Sequence, residues 1–411
     1  MVKKSKINGS LAKKITSDYA LTFIATILSV GTVQLIVYPF IASKLSDSSY
    51  GLFLTLIGIV NSVMPAFGST LRNTHIIMDD RYRQSGFSRS DFKRLLIFTA
   101  PLVSVLVAFG LYVCFSLDTA ALIIIFILLM FGIAKAYCLV AFRLPINPKS
   151  NLMANAISCI GYVIGLLFVD LFDWWFMPFL LAEMASLGYI LLRTDTLRGP
   201  LQKTPLFFDA SKTYAFLTLT NLVTYCSVYV DRIMLFPILG ASAVSTYYTA
   251  SFVGKACSFF TGPLSTVLLS YISDGSKKLT VKRYDVLNGM LVVVIVAVGF
   301  PLLLLAPFVT GLLYPSLVDQ AMPYIYLANA ASLLGVANGI NMVIVLKAAP
   351  AQWQLIISMI KLLLYTSAIM VVSLTGSLLH FCLALLVANI VIFALTYFVG
   401  RIYVKRDSLK V

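Results

Sequence analysis

Long apolar runs separated by short polar breaks follow one another from about Thr16 to Gly400. Roughly 20 apolar residues cross a bilayer core, so the runs read as membrane helices and leave no room for a soluble domain. The breaks predict helices at about 16–43, 50–71, 95–116, 119–142, 153–170, 174–192, 214–238, 243–272, 285–314, 321–347, 352–374 and 378–400. The expected fold class is an all-α polytopic membrane protein with twelve transmembrane helices.

Composition agrees: of 411 residues, 60% are hydrophobic and only 11% charged, with a mean hydropathy of +0.95. The N-terminal MVKKSKINGSLAKK is basic like a signal peptide, but about 28 apolar residues follow it without a small-residue cleavage site, which predicts a retained first helix. The net charge of +15 raises the question of nucleic acid. Its distribution answers it. With the N-terminus inside, 26 of the 31 Lys and Arg fall in inner segments and only Lys44 in an outer hairpin. The positive-inside rule then places both termini in the cytoplasm and leaves nucleic acid without support.

The outer hairpins near 44–49, 117–118, 171–173, 239–242, 315–320 and 375–378 span a few residues each, too little to carry the catalytic groups of an outer-face enzyme. The chain has no GxxxxGK[ST], HExxH or GxSxG motif, and His75 and His380 stand apart at predicted helix ends. The six cysteines lie in apolar runs without metal or redox spacing. No enzyme activity, metal or cofactor is expected.

An ungapped offset of 198 brings Thr22 onto Thr220, Thr26 onto Thr224, Ser29 onto Ser227, Pro39 onto Pro237, Tyr50 onto Tyr248 and Pro65 onto Pro263. Six helices per half give both halves the same orientation, related by an axis along the membrane normal. The expectation is two six-helix lobes, 1–205 and 206–411, with a transport cavity between them.

Inside the predicted helices stand Lys135, Glu183, Asp231, Arg232, Lys255 and Lys361, with Asp18 and Arg72 at helix ends. A charge at mid-bilayer costs roughly 2.5–3.5 kcal/mol even on the mild insertion scale, so these groups are functional candidates by default. Each also has a plain structural reading. Lys135, Lys361 and Arg232 are close enough to a helix end to snorkel. Lys255 can serve as a buried partner for Asp231. Glu183 can be a protonated, hydrogen-bonded carboxyl or a structural partner for a lysine. The pair Asp231 and Arg232, about 100° apart on one helix, is poorly placed to neutralise itself.

Helical spacing groups Thr220, Thr224, Ser227 and Asp231 on one stripe with Asn221 beside it, and Tyr248, Ser251 and Lys255 on another. Thr22, Thr26 and Ser29 repeat the pattern in the first helix. Such stripes are either interhelical hydrogen-bond glue or cavity wall, and the charges within them favour the wall. Four cations against two carboxylates leave a surplus that attracts anions. Arg is suited to gripping phosphate and Lys to acting as a point charge along a path, so a lipid-linked pyrophosphate fits such a cavity. Arg72, Lys135, Arg232, Lys255 and Lys361 are the candidate substrate-binding cations.

The segment DRIMLFPILGASAVSTYYTASFVGKACSFFTGPLSTVLLSYIS, 231–273, resembles the seventh and eighth helices of Wzx-type O-antigen flippases, the polysaccharide-transporter branch of the multidrug/oligosaccharidyl-lipid/polysaccharide (MOP) superfamily. The segment YPFIASKLSDSSYGLFLTLIGIVNSVMPAFGSTL, 38–71, is similar to that family's first helix junction, although Ser46 after Leu45 departs from its usual L-G turn. The resemblance implies a flippase of the bacterial inner membrane. It would move an undecaprenyl-pyrophosphate-linked oligosaccharide to the periplasmic leaflet by alternating access, beside polysaccharide polymerase and chain-length machinery. It also implies ion coupling through a bundle carboxylate. Glu183 and Asp231 are the candidates, and Glu183, with no charged neighbour in sequence, is the preferred one for proton exchange.

Three other functions compete. A multidrug exporter of the same superfamily would want surplus carboxylates rather than surplus cations. A glycan polymerase or ligase would want longer outer loops. A lipid II flippase usually carries two further helices.

Overall fold

A computed structural model describes residues 9–145, 147–199, 201–260, 280–350 and 352–408. Among these the chain is 89% helical and contains no strand. The helices are α1 (Gly9–Thr32), α2 (Tyr38–Lys44), α3 (Asp47–Met64), α4 (Thr70–Ser85), α5 (Ser90–Phe115), α6 (Thr119–Cys138), α7 (Val140–Arg143) and α8 (Pro148–Phe172). They continue as α9 (Met177–Arg193), α10 (Phe207–Leu239), α11 (Ala241–Ala256), α12 (Val281–Leu313), α13 (Val318–Ala321), α14 (Ile325–Ala348), α15 (Gln352–Thr375) and α16 (Leu378–Ser408). Nine stretches among the described residues are long and apolar enough to cross a membrane. The predicted helix end at 257–272 lies largely outside the described residues, as do Pro263 of the repeat and the basic residues Lys277 and Lys278.

Local chemistry sets the helix ends. Asp118 caps α6 by accepting the Ala121 N–H at 3.3 Å, and Asn147 caps α8 by accepting that of Ser150 at 3.1 Å. Gly86, at φ 68°, stops α4 in the left-handed conformation.

Several helices outrun the hydropathy-based spans. The helix predicted at 50–71 continues to Ser85, and the last one continues to Ser408. Hydropathy marks the apolar slab, whereas backbone hydrogen bonding carries a helix on into water. Two π-helical stretches widen the N-terminal helices: Val33–Val37 just before Pro39, and Pro65–Ser69. A proline inside a helix lacks an N–H and crowds the carbonyl four residues back, and a wider turn eases the crowding.

Contacts divide the chain into two compact units. One comprises residues up to Val37 with Val63–Asn221, the other Tyr38–Ser62 with Leu222 onward. The hairpin 38–62 that counts with the second unit is bounded by the two π-helical stretches. The repeat leads one to expect a division at 205/206, whereas contact defines these units; the two divisions differ by this hairpin and by the start of α10.

In the first unit α8 packs along α9 and α1, and α6 along α9 and α5. The α8–α9 seam uses Gly161 and Gly165, a small-xxx-small pair: a Cβ on either would overlap the backbone of Ala182 or Pro178. In the second unit α14 packs along α16, α11 and α12, and α15 along α16. There a Cβ on Gly51 would overlap the carbonyl of Ala241, so the start of α3 lies hard against the start of α11. Large apolar side chains cover the outer faces, among them Leu192, Phe208, Phe308 and Leu374, as expected of surfaces that meet lipid tails.

Candidate functional site

The second unit gathers a charged cluster among aromatic rings. The Lys255 ammonium donates to the Asp231 carboxylate at 2.6 Å, and the other Asp231 oxygen accepts the Arg232 backbone N–H at 2.9 Å. Asp231 and Arg232 are each only 5% exposed. The Arg232 side chain turns away from Asp231 and lies over two rings, 4.4 Å from the centre of Tyr248 and 5.5 Å from that of Tyr229. Lys255 lies 5.5 Å from the ring centre of Tyr248 and 4.6 Å from that of Tyr247. Tyr248 thus serves two cations at once.

Behind it stands a buried aromatic box. Tyr248 meets Tyr38, Tyr50, Phe252 and Tyr314 edge to face, with centroids 5.7–6.4 Å apart. Tyr50 and Tyr248 are also equivalent positions of the sequence repeat. Ring faces stabilise a desolvated cation, but they do not satisfy its donors. Among the described residues Nε and Nη1 of Arg232 have no hydrogen-bond partner. A buried guanidinium with idle donors is costly unless an acceptor reaches it.

Lys361 belongs to the same neighbourhood: its ammonium is 5.3 Å from the Tyr365 ring, within electrostatic range of Asp231. Tyr365 itself holds Asn389, which in turn accepts from Asn338 at 3.2 Å. Both amide ends of the fully buried Asn341 lack a partner among the described residues.

The first unit holds the second ion pair. Lys135 donates to Glu183 at 3.1 Å, with their side chains 14% and 10% exposed. Glu183 has no charged neighbour in sequence, yet it has one in space. Arg72 lies within a continuous helical stretch and is buried; it donates to the carbonyl of Ala136, next to Lys135, at 3.0 Å. One turn on either side, Asn221 donates to Thr70 at 2.8 Å and His75 meets the Tyr137 hydroxyl at 3.3 Å.

The hydroxyl stripes are largely self-satisfied. Thr26, Thr220, Ser227 and Ser251 donate to the carbonyls of Thr22, Phe216, Thr224 and Tyr248 in their own helices, the usual back-bonding of such residues in apolar helices. Ser227, Tyr248 and Ser251 are buried in the second unit, Ser29, Thr220, Asn221 and Thr224 are half-buried, and Thr22 and Thr26 are exposed. Sequence reasoning missed Tyr38 and Tyr314 of the box and the cation-facing rings of Tyr229 and Tyr247. The available signal was the abundance of tyrosine, 21 residues, in apolar helices.

No family model and no curated protein sequence matches the chain. Solved structures do match it. The lipid II flippase MurJ in an inward closed conformation aligns with a TM-score of 0.68 and 15% identity, over 96% of this chain and 88% of that one. An inward-facing multidrug resistance MATE family transporter of the MOP superfamily aligns at 0.66 and 12%, over 96% and 95%. A MOP superfamily transporter from Pyrococcus furiosus, described by the reverse polarity of its binding pocket, aligns at 0.57 and 12%, over 96% of each chain. This chain has the all-helical membrane fold shared by the MATE transporters and MurJ, and the proteins seen to carry it are transporters and flippases rather than enzymes.

Proposed function

We propose that the chain is a flippase that moves an undecaprenyl-pyrophosphate-linked oligosaccharide, an O-antigen or related repeat unit, across the bacterial inner membrane by alternating access. In this reading the chain crosses the bilayer twelve times, keeps both termini in the cytoplasm, and hands its cargo to polysaccharide polymerase and chain-length machinery.

The observation that carries the reading is the pairing of the buried charges. Glu183 takes Lys135 and Asp231 takes Lys255. Of the six charges inside the predicted helices, that leaves Arg232 and Lys361 without a carboxylate in ion-pair contact, Arg232 with idle donors. A pyrophosphate supplies the acceptors that a guanidinium fork is shaped for, and aromatic faces beside it suit sugar rings. A cationic multidrug substrate would meet repulsion there.

Glu183 is the proposed coupling group. Asp231 is held by both Lys255 and a backbone N–H, whereas Glu183 has one longer contact to release when a proton or cation arrives.

Deletion in the native strain, followed by complementation, tests the proposal. Lipid-linked repeat units should accumulate on the inner leaflet. Arg232→Ala should reach the membrane yet fail to restore surface polysaccharide; full restoration would remove Arg232 and the anion reading with it.

A further inference from the structure

A second charged concavity lies in the first unit, apart from the Tyr248 cluster. It is a cleft of about 500 Å³ whose lining includes the cations Arg89, Lys93 and Arg198, His75, and an apolar wall of Val140, Ala141, Leu144 and Pro145. Loop charges that only set topology stand in water and need no common focus. These line one cleft, and two of the lining groups are buried with part of their charge or donor capacity unmatched: Lys93 meets no carboxylate, and Nε2 of His75 has no acceptor among the described residues.

Lys93 is 6% exposed and its ammonium donates to the Gly199 carbonyl oxygen. No carboxylate among the described residues lies within ion-pair distance of it. His75 is likewise 6% exposed, and its Nε2 has no hydrogen-bond partner among the described residues. When Nδ1 accepts from the Tyr137 hydroxyl, Nε2 carries the proton and offers a donor at the cleft.

Each arginine is held by a carboxylate, Arg89 by the buried Asp79 and Arg198 by Asp195 in the lining itself. Arg89 uses Nε on Asp79 at 2.6 Å, and Arg198 uses Nη1 on Asp195 at 2.7 Å. Each contact occupies one edge of a five-donor fork. Asp195 is the single carboxylate in the lining, against three cations.

We propose that this cleft binds a phosphate ester, its phosphate against Lys93, Arg198 and His75 and its carbon portion along the Val140–Pro145 wall. Two sources share that chemistry: the headgroup of an anionic phospholipid, for which basic pockets between membrane helices are suited, and a small soluble phosphate. The inference does not rest on the proposed cargo.

Purified full-length protein in neutral detergent is titrated with short-chain phosphatidylglycerol, phosphatidylcholine, glycerol 3-phosphate and inorganic phosphate, with the thermal midpoint as readout. Phosphatidylglycerol should raise the midpoint saturably and phosphatidylcholine should not. An equal rise with glycerol 3-phosphate or inorganic phosphate identifies the soluble source, and a rise with the lipid alone the membrane source. Arg198→Gln, at an exposed position that leaves folding intact, and Lys93→Gln should each weaken binding about tenfold, the worth of one charge-assisted hydrogen bond. Lys93→Arg should keep it. Absence of any rise with all three anionic ligands, or wild-type affinity in Arg198→Gln, overturns the proposal.

Discussion

Asp231 and Arg232 are neighbours in sequence, but their side chains part: the carboxylate reaches α11 to hold Lys255 at 2.6 Å, while the guanidinium lies 4.4 Å over the ring of Tyr248. The dipeptide therefore does two jobs. Asp231 ties α10 to α11, and Arg232 keeps its charge.

The tie has a measurable consequence. A buried ion pair is weak evidence of net stability, but removing one partner strands the other, at a cost of about 3–5 kcal/mol. Asp231→Asn should therefore lower the thermal midpoint of the detergent-purified protein strongly. The double variant Asp231→Asn with Lys255→Met should regain much of the loss. If Asp231→Asn melts like the wild type, the pair does not join the helices.

Tyr248 separates ring from hydroxyl. Its hydroxyl has no hydrogen-bond partner among the described residues, whereas its ring serves Arg232 and Lys255. Tyr248→Phe should leave stability within about 0.5 kcal/mol of wild type, since cation–π attraction needs only the ring. Tyr248→Leu forfeits about 1–2 kcal/mol for the desolvated cations and should also depress transport. Equal melting of the two variants would deny the ring that role.

How far these features were legible in the chain depends on their range. The Asp231–Lys255 contact was legible because helical periodicity places Asp231 on the stripe facing the next helix, and only a one-residue hairpin break at Gly240 intervenes. Glu183 and Lys135 are 48 positions apart on α9 and α6, and no local pattern encodes which helices of a bundle touch. The aromatic box is equally non-local: it needs α2, α3, α11 and the residue after α12. The hydroxyl stripes were visible, but not that most of their hydroxyls bond back to their own helix.

Glu183 offers a test of coupling. Glu183→Gln keeps the shape but leaves Lys135 without its counter-charge, and Glu183→Asp keeps the charge on a shorter stem. Transport of lipid-linked repeat units should fall further in Glu183→Gln, by about tenfold or more if proton transfer is lost. Protein levels in the membrane must be matched. Equal, full transport by both variants would remove Glu183 from the coupling role and leave a structural ion pair.

The α8–α9 seam gives the sharpest structural test, because it compares glycines that differ only in what lies beside them. At Gly165 a methyl group would overlap the Pro178 backbone, and at Gly161 that of Ala182, whereas at Gly188 it would meet nothing within 4 Å. Backbone cannot swing aside as a side chain can, so the helices must part and lose packing along the seam. Overpacking of this kind costs about 1–3 kcal/mol. Gly165→Ala should lower the thermal midpoint by several degrees. Gly188→Ala, in the middle of α9, should leave it unchanged or raise it slightly, by about 0.4–1 kcal/mol through loss of chain freedom in the unfolded state. Equal midpoints for the two variants would mean that α8 and α9 do not make the close approach through which α9 carries Glu183 to Lys135.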